Sequence, residues 1–293
     1  MYFSYLVVTG LTTGSLYALV ALGLVVVYRA TKVVNFAHGE IFMVTGFVAW
    51  TTHVTLGLPY LVALAVAAAV GFGLGLLLYM VSFRPLAHLR DLNPILMVMI
   101  GVAFVLKGLA RDIWGGKGDY LTFPPLVSPV PIEIAGIMVM SQQLVVLGAS
   151  LVAMGCLFAF FRLTRAGKFM QATADNPKAA RLVGLQIDRI HMYTFGVGAA
   201  IAGVSATLMA PLTLLYPDIG FLLFIKGFAA AILGGLASVP GAIVGGLLLG
   251  LAEQLAAGYI HTSLQEVAAF IVIMLVLIFI PSGLFGTNAG RDV

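Results

Sequence analysis

With 293 residues, 9% of them charged, a formal charge of +4 and a mean hydropathy of +1.11, the chain lies far outside the soluble globular range. In that range roughly a quarter of residues carry charge. These values exclude a soluble enzyme and point to an integral membrane protein, and the basic residues, split among short loops, form no face for nucleic acid. Cys156 is the single cysteine, which rules out an internal disulfide and a thiolate metal cluster.

Apolar runs long enough for a hydrocarbon core of about 30 Å fall at residues 4–28, 36–53, 60–83, 94–112, 142–161, 192–216, 220–236, 241–259 and 264–280. The sequence therefore predicts an all-α polytopic protein of eight or nine transmembrane helices. The open count concerns 220–236, which is short, glycine-interrupted and closed by Ser238-Val239-Pro240, so that it either spans or re-enters. A transmembrane barrel would alternate apolar and polar residues, whereas these runs are apolar on every side. The first run has no basic residue before it and no small-residue cleavage pattern after it, and reads as a permanent span.

Ten of the fifteen Lys and Arg residues fall in three connections: Arg29 and Lys32; Arg84 and Arg90; and Arg162, Arg165, Lys168, Lys178, Arg181 and Arg189. Alternate threading puts all three on one side, which the positive-inside rule makes the cytoplasm. The N-terminus then faces out. Of the outer connections, 54–59 has no basic residue and 113–141 carries only Lys117 beyond its first residues; the latter, with Pro124, Pro125, Pro129 and Pro131, reads as a turn-rich extracytoplasmic hairpin. No connection exceeds about 30 residues, too short for a separate soluble domain, so residues 1–293 form one transmembrane domain.

The cytoplasmic loop 162–191 is the longest polar stretch. Residues 167–174 have helical composition, and Asp175-Asn176-Pro177 interrupts them. Asn176 suits an N-cap, Pro177 the first helical position and Gly184 the stop, which predicts two short helices. In the second, Ala179, Ala180 and Val183 share a side, while Lys178 and Arg181 lie elsewhere. Such a helix carries small apolar knobs for docking and charges to orient it. Read alone, it is equally a solvated basic loop.

Polar groups also mark the entrances to two spans. Asn35-Phe36-Ala37-His38-Gly39-Glu40 opens the second. His38 and Glu40 diverge by about 200° on a helix, so they cannot chelate one metal. Asn35 capping the helix and Glu40 complementing its positive end is one reading; polar groups facing a water-filled path is another. Tyr216-Pro217-Asp218-Ile219-Gly220 opens the run that holds Phe228 and ends at Gly234-Gly235, and enters from the opposite face. Two interrupted segments of this kind match an inverted arrangement whose helix N-termini face an anionic substrate group near the midplane. Helix capping by Asp218 is the alternative. Lys107 and Arg111 share a face near an outer helix end, as snorkelling residues do or as contacts to a partner outside. Lys226 lies well inside an apolar run and is either snorkelled or paired with a carboxylate; Glu253 and Gln254 raise the same question. The Gly-xxx-Gly pairs starting at Gly10, Gly71, Gly241 and Gly246 allow close helix approach, within the chain or with a second subunit.

The motifs Gly14-Ser15-Leu16-Tyr17-Ala18-Leu19, Asn35 to Glu40, Ala174-Asp175-Asn176, and Gly234-Gly235-Leu236 followed by Pro240-Gly241-Ala242 together resemble the branched-chain amino-acid (Leu/Ile/Val-type) permease family, in order and over essentially the whole chain. Ala179-Ala180-Arg181-Leu182-Val183-Gly184 is similar to the coupling loop of ABC importer permeases, with Lys178 where the general motif has Glu and without its Ile-x-Leu-Pro ending. The resemblance implies a permease subunit in the bacterial cytoplasmic (inner) membrane, embedded in lipid. It implies as partners ABC ATPase subunits, a second permease subunit and an extracytoplasmic substrate-binding protein. It also implies an ATPase-coupling role for Arg165, Gly167, Asp175, Asn176, Pro177, Ala179, Ala180, Arg181 and Gly184. Asn35, His38, Glu40, Asp218, Phe228 and Gly234 are the expected substrate path. The chain has no phosphate-cradling G-x-x-x-x-G-K-[ST] motif, so ATP hydrolysis belongs on another subunit, and neither metal nor cofactor is expected. An ion-coupled secondary transporter using Glu40 or Glu253 is the rival reading, and the resemblance extends to permeases for urea, amides or aromatic acids.

Overall fold

A computed structural model describes residues 2–89, 91–115, 120–128, 130–134 and 137–286; Arg90, Lys117 and Pro129 lie outside them. Each of the nine apolar runs forms a helix. These are α1 (Tyr2–Thr31), α2 (His38–Trp50) with a π turn Thr51–Thr55, and α3 (Tyr60–Leu78) continuing through a π turn Tyr79–Phe83 into α4 (Arg84–Leu86). Then come α5 (Asn93–Trp114), α6 (Ser141–Leu163), α9 (Ile187–Met209), α10 (Ile219–Gly234), α11 (Val239–Tyr259) and α12 (Leu264–Phe279). The polar loop 162–191 supplies α7 (Arg165–Asp175) and α8 (Pro177–Leu182). Six of the apolar helices are long enough to cross a bilayer unaided, whereas α10 and α12 have 16 residues each, about 24 Å at 1.5 Å per residue.

The interior is organised around α1, 89% of whose apolar window is buried. Lipid is as apolar as leucine, so helices in a membrane gain little from hiding methyl groups and associate through close van der Waals contact between small faces. The Gly-xxx-Gly pairs serve that purpose within the chain. Gly10 and Gly14 of α1 lie against Gly246, Gly250 and Leu251 of α11, and Gly71 and Gly75 of α3 lie against Ala199 and Phe195 of α9. By contrast α5 is peripheral, with Met97, Phe104 and Val105 more than half exposed.

The outer connection contains a two-stranded antiparallel ribbon, β1 (Pro131–Ile134) and β2 (Ile137–Met140), with Ile132 opposite Val139. It is pinned down at several points. Gln142 Oε1 accepts the Leu126 and Val127 N–H groups, Trp50 Nε1 donates to the Thr122 carbonyl at 3.0 Å, and Leu121 bridges to Leu215. At the other end Arg29 pairs with Asp175 at 2.7 Å, tying α1 to the cytoplasmic loop.

Candidate functional site

Two helix starts lie inside the bundle and meet there. After α1 ends at Thr31, the link to α2 turns back inward, burying Val33, Asn35 and Ala37. His38 consequently packs against Gly23, eight residues and about 12 Å back along α1 from Thr31. From the opposite side, the segment before α10 dips until Asp218 reaches Lys107, seven residues and about 10 Å from the α5 end at Trp114. The first turns of α2 and α10 then touch through backbone. A Cβ on Gly220 would fall 2.5 Å from the Gly39 carbonyl oxygen, and one on Gly39 would collide with the Gly220 carbonyl. From this meeting point α10 runs to Gly234, which lies against Gly241 at the start of α11.

Between α2, α5 and α10 lies a cavity of about 260 Å³ walled by Phe36, Phe104, Phe221 and Phe224, with Glu40 and Lys107 as its charged groups. The Phe36 and Phe224 ring centroids are 5.4 Å apart, and Phe228 stacks behind Phe224 at 5.8 Å. Glu40 is 6% exposed and its Oε2 has no hydrogen-bond partner among the described residues. A buried carboxylate in that state is costly unless something pairs with it. The positive ends of two converging helix dipoles supply part of that compensation.

Several side chains sit differently from the sequence expectation. Asn35 does not cap α2: its Oδ1 accepts the Ala37 N–H at 3.1 Å, an Asx turn that shapes the inward link, and Ala37 holds the N-cap position. Asp218 is at the N-cap of α10 but makes no capping bond, because Lys107 and Arg111 draw its carboxylate away, the latter at 3.1 and 3.2 Å. Hydrogen bonding from Lys107, reinforced by Arg111, holds that carboxyl below the usual range despite partial desolvation. Lys107 and Arg111 together hold the carboxylate at the α10 entrance. His38 diverges from Glu40 and faces α1, with neither ring nitrogen in a well-formed hydrogen bond although the Val20 carbonyl is near enough to interact. Gly234, fourteen residues and about 21 Å along α10 from Gly220, packs against Gly241 and lies outside the cavity. The cavity residues that sequence reasoning missed are Phe36, Phe104, Phe221 and Phe224. For Phe221 and Phe224 the signal was the i, i+3, i+7 row that they form with Phe228; Phe36 and Phe104 carry no such pattern.

Lys226 is paired. Its Nζ contacts Glu253 Oε1, donates to the Tyr17 hydroxyl at 3.0 Å and lies 5.2 Å from that ring. With Lys226 6%, Glu253 1% and Tyr17 2% exposed, the cluster links α10 to α11 and α1.

In the loop 162–191, Thr164 Oγ1 caps α7 by accepting the Gly167 N–H at 3.0 Å, and a Cβ on Gly167 would run into Phe160 and Phe161 at the corner with α6. Asp175 closes α7, Asn176 Oδ1 accepts the Ala179 N–H at 3.0 Å, Pro177 opens α8, and Gly184 has φ +85°. Ala180 is buried, whereas Arg165, Ala179 and Arg181 are exposed. Val183, whose N–H reaches the Ala179 carbonyl at 3.3 Å, is exposed like Ala179, and of the three residues expected to share a side only Ala180 is buried. Leu182 and Val183 point outward at 90% and 77% exposure.

Relatives of the chain fit this architecture. The sequence profile described as "Branched-chain amino acid transport system / permease component" matches residues 6–280. The chain is 32% identical to the high-affinity branched-chain amino acid transport system permease protein LivH of Salmonella typhimurium, covering 98% of this chain and 96% of that one. It is 33% identical to BraD, named as the same kind of permease, from Pseudomonas aeruginosa, covering 95% and 94%. It is 24% identical to the ribose import permease RbsC of Escherichia coli, covering 80% of this chain and 73% of that one. Among solved structures, PsaBC from Streptococcus pneumoniae in complex with Fab shares the fold at a TM-score of 0.50 and 14% identity, covering 94% and 91% of the two chains. With a buried α1 at its centre, two helix N-termini meeting inside the bundle and a profile match over nearly its whole length, the chain belongs to the permease components of branched-chain amino acid transport systems, multi-pass proteins of the cytoplasmic membrane.

Proposed function

We propose that this permease passes branched-chain amino acids inward as the membrane subunit of an ABC importer, and that the cavity between α2, α5 and α10 is part of the path. Glu40 carries the reading: a buried carboxylate oxygen with no hydrogen-bond partner among the described residues, set in a wall of four phenylalanines. A zwitterion with an aliphatic side chain complements that wall. Its ammonium pairs with Glu40, its carboxylate lies toward Lys107 and the helix N-termini, and its methyl groups contact the rings. A cavity of about 260 Å³ has room for one such molecule.

Force enters at the other end. The exposed Leu182 and Val183, flanked by Lys178 and Arg181 on a helix held by Asn176 and Pro177, suit a groove on an ATP-hydrolysing subunit. The Arg29–Asp175 pair carries displacement of that loop to α1, and the α10 contact with α2 opens or closes as the bundle shifts. A second permease subunit completes the path on the exposed face of α5, and a binding protein outside delivers the solute. The reading is tested by leucine uptake into vesicles holding the complete importer. Uptake that requires ATP and the ATPase subunits, and survives collapse of the sodium and proton gradients, is expected; gradient-dependent uptake without ATP would overturn it in favour of a secondary transporter.

A further inference from the structure

At the cytoplasmic end of the bundle a second cavity, about 390 Å³, opens between the last turns of α1 and α6, the surface helix α7 and the start of α11. Its floor is apolar, formed by Val26, Ala30, Phe161 and Met170, and its rim carries Arg29, Arg162 and Lys168. Asp175 neutralises Arg29. Among the described residues no carboxylate pairs with Arg162 or Lys168, and Arg162 rests its guanidinium 5.7 Å from the Phe158 ring centroid. The pocket therefore has two uncompensated cations above an apolar floor, at the depth where α6 leaves the membrane. Just below, α6 presents Leu151, Val152 and Phe158 at more than half exposure, and a Cβ on Gly155 would meet nothing.

We infer that this pocket holds the phosphate headgroup of an anionic phospholipid of the inner leaflet, with Arg162 and Lys168 on the phosphate and an acyl chain along the Gly155 face of α6. Basic pockets between helices on the cytoplasmic side suit such headgroups, and a guanidinium recognises phosphate through paired donors. The apolar floor and the adjoining lipid-facing groove distinguish a lipid from a soluble anion. Occupancy would brace the corner between α6 and α7, from which α8 projects.

Native mass spectrometry of the detergent-purified full chain, titrated with phosphatidylglycerol, phosphatidylcholine or inorganic phosphate, tests this. One phosphatidylglycerol should remain bound per chain, phosphatidylcholine should not, and millimolar phosphate should not displace the lipid. Each lost cation should weaken retention about fivefold, so Arg162→Gln/Lys168→Gln should lower it roughly 30-fold, while Arg84→Gln, at another basic position outside the pocket, should not change it. Equal retention of the two lipids, displacement by phosphate, or unchanged retention in the double variant would each overturn the proposal. So would a double variant that keeps its lipid but loses the ATPase subunit on co-purification, which would make the pocket a protein contact.

Discussion

Removing one partner of the Lys226–Glu253 pair should cost far more than removing both. Glu253 is 1% exposed and Lys226 6%, and the pair sits among α1, α10 and α11, with the Tyr17 hydroxyl as a further hydrogen-bond partner of Lys226. In Lys226→Met the Glu253 carboxylate loses its counter-ion, and Tyr17 is the remaining hydroxyl near it. Stranding one member of a buried pair costs about 3 to 5 kcal/mol, a hundredfold to several thousandfold in the folded population at about 1.4 kcal/mol per tenfold. In Lys226→Met/Glu253→Leu no charge is stranded, and apolar replacement of a whole buried pair is often close to neutral. The double variant should therefore regain most of the loss, with a coupling energy of at least about 2 kcal/mol. Equilibrium unfolding of the detergent-solubilised protein in a denaturing surfactant, for the wild type, both single variants and the double variant, measures it. Single-variant costs below about 1 kcal/mol, or costs that simply add, would refute the view that the pair acts as one unit.

Gly220→Val puts a branched side chain against the Gly39 carbonyl and should abolish uptake while the protein still inserts, since the clash is confined to the meeting point of α2 and α10; wild-type uptake would contradict that geometry. Leu182→Asp places a charge on the outward tip of α8 and should reduce ATPase co-purification and coupled uptake by at least tenfold without altering the thermal stability of the isolated chain. Asn176→Ala removes the cap of α8 at a cost of about 1 kcal/mol, which hydrogen exchange should register as roughly fivefold faster exchange confined to that helix. The Asp218 carboxyl is held below its ordinary value by Lys107 and Arg111, so its contribution persists as the pH falls and is lost only below the usual aspartate range near 3.8. The difference in unfolding midpoint between wild type and Asp218→Asn should then stay constant between about pH 7 and pH 5.

The helical core was readable because membrane spans announce themselves by length and composition, and because Asn176, Pro177 and Gly184 carry turn chemistry that acts through the adjacent backbone. The break between α7 and α8 follows from Asn176 and Pro177, whereas the start of α7 is set by Thr164, whose hydroxyl caps it. The candidate cavity was only half readable. Glu40 and Asp218 stand out as charges at the ends of apolar runs, but nothing local says that the link after Thr31 folds inward, or that Asp218 finds Lys107, 111 residues away in sequence. Those are consequences of helix packing across the bundle. For the same reason Lys226 stayed undecided from the sequence: its partners, Tyr17 and Glu253, are distant in the chain and converge only when α10 packs between α1 and α11. The sequence likewise did not say which side of α8 faces the bundle: Ala180 is buried, whereas Ala179 and Val183 are exposed.

The central claim is that solute passes the Glu40 carboxylate between α2, α5 and α10. Uptake of radiolabelled leucine by proteoliposomes carrying the complete importer, with Glu40→Gln beside the wild type and ATP hydrolysis recorded in the same vesicles, tests it most directly. The account predicts at least a tenfold fall in uptake while the complex assembles and basal ATP hydrolysis continues. Uptake by the variant at the wild-type rate would contradict it.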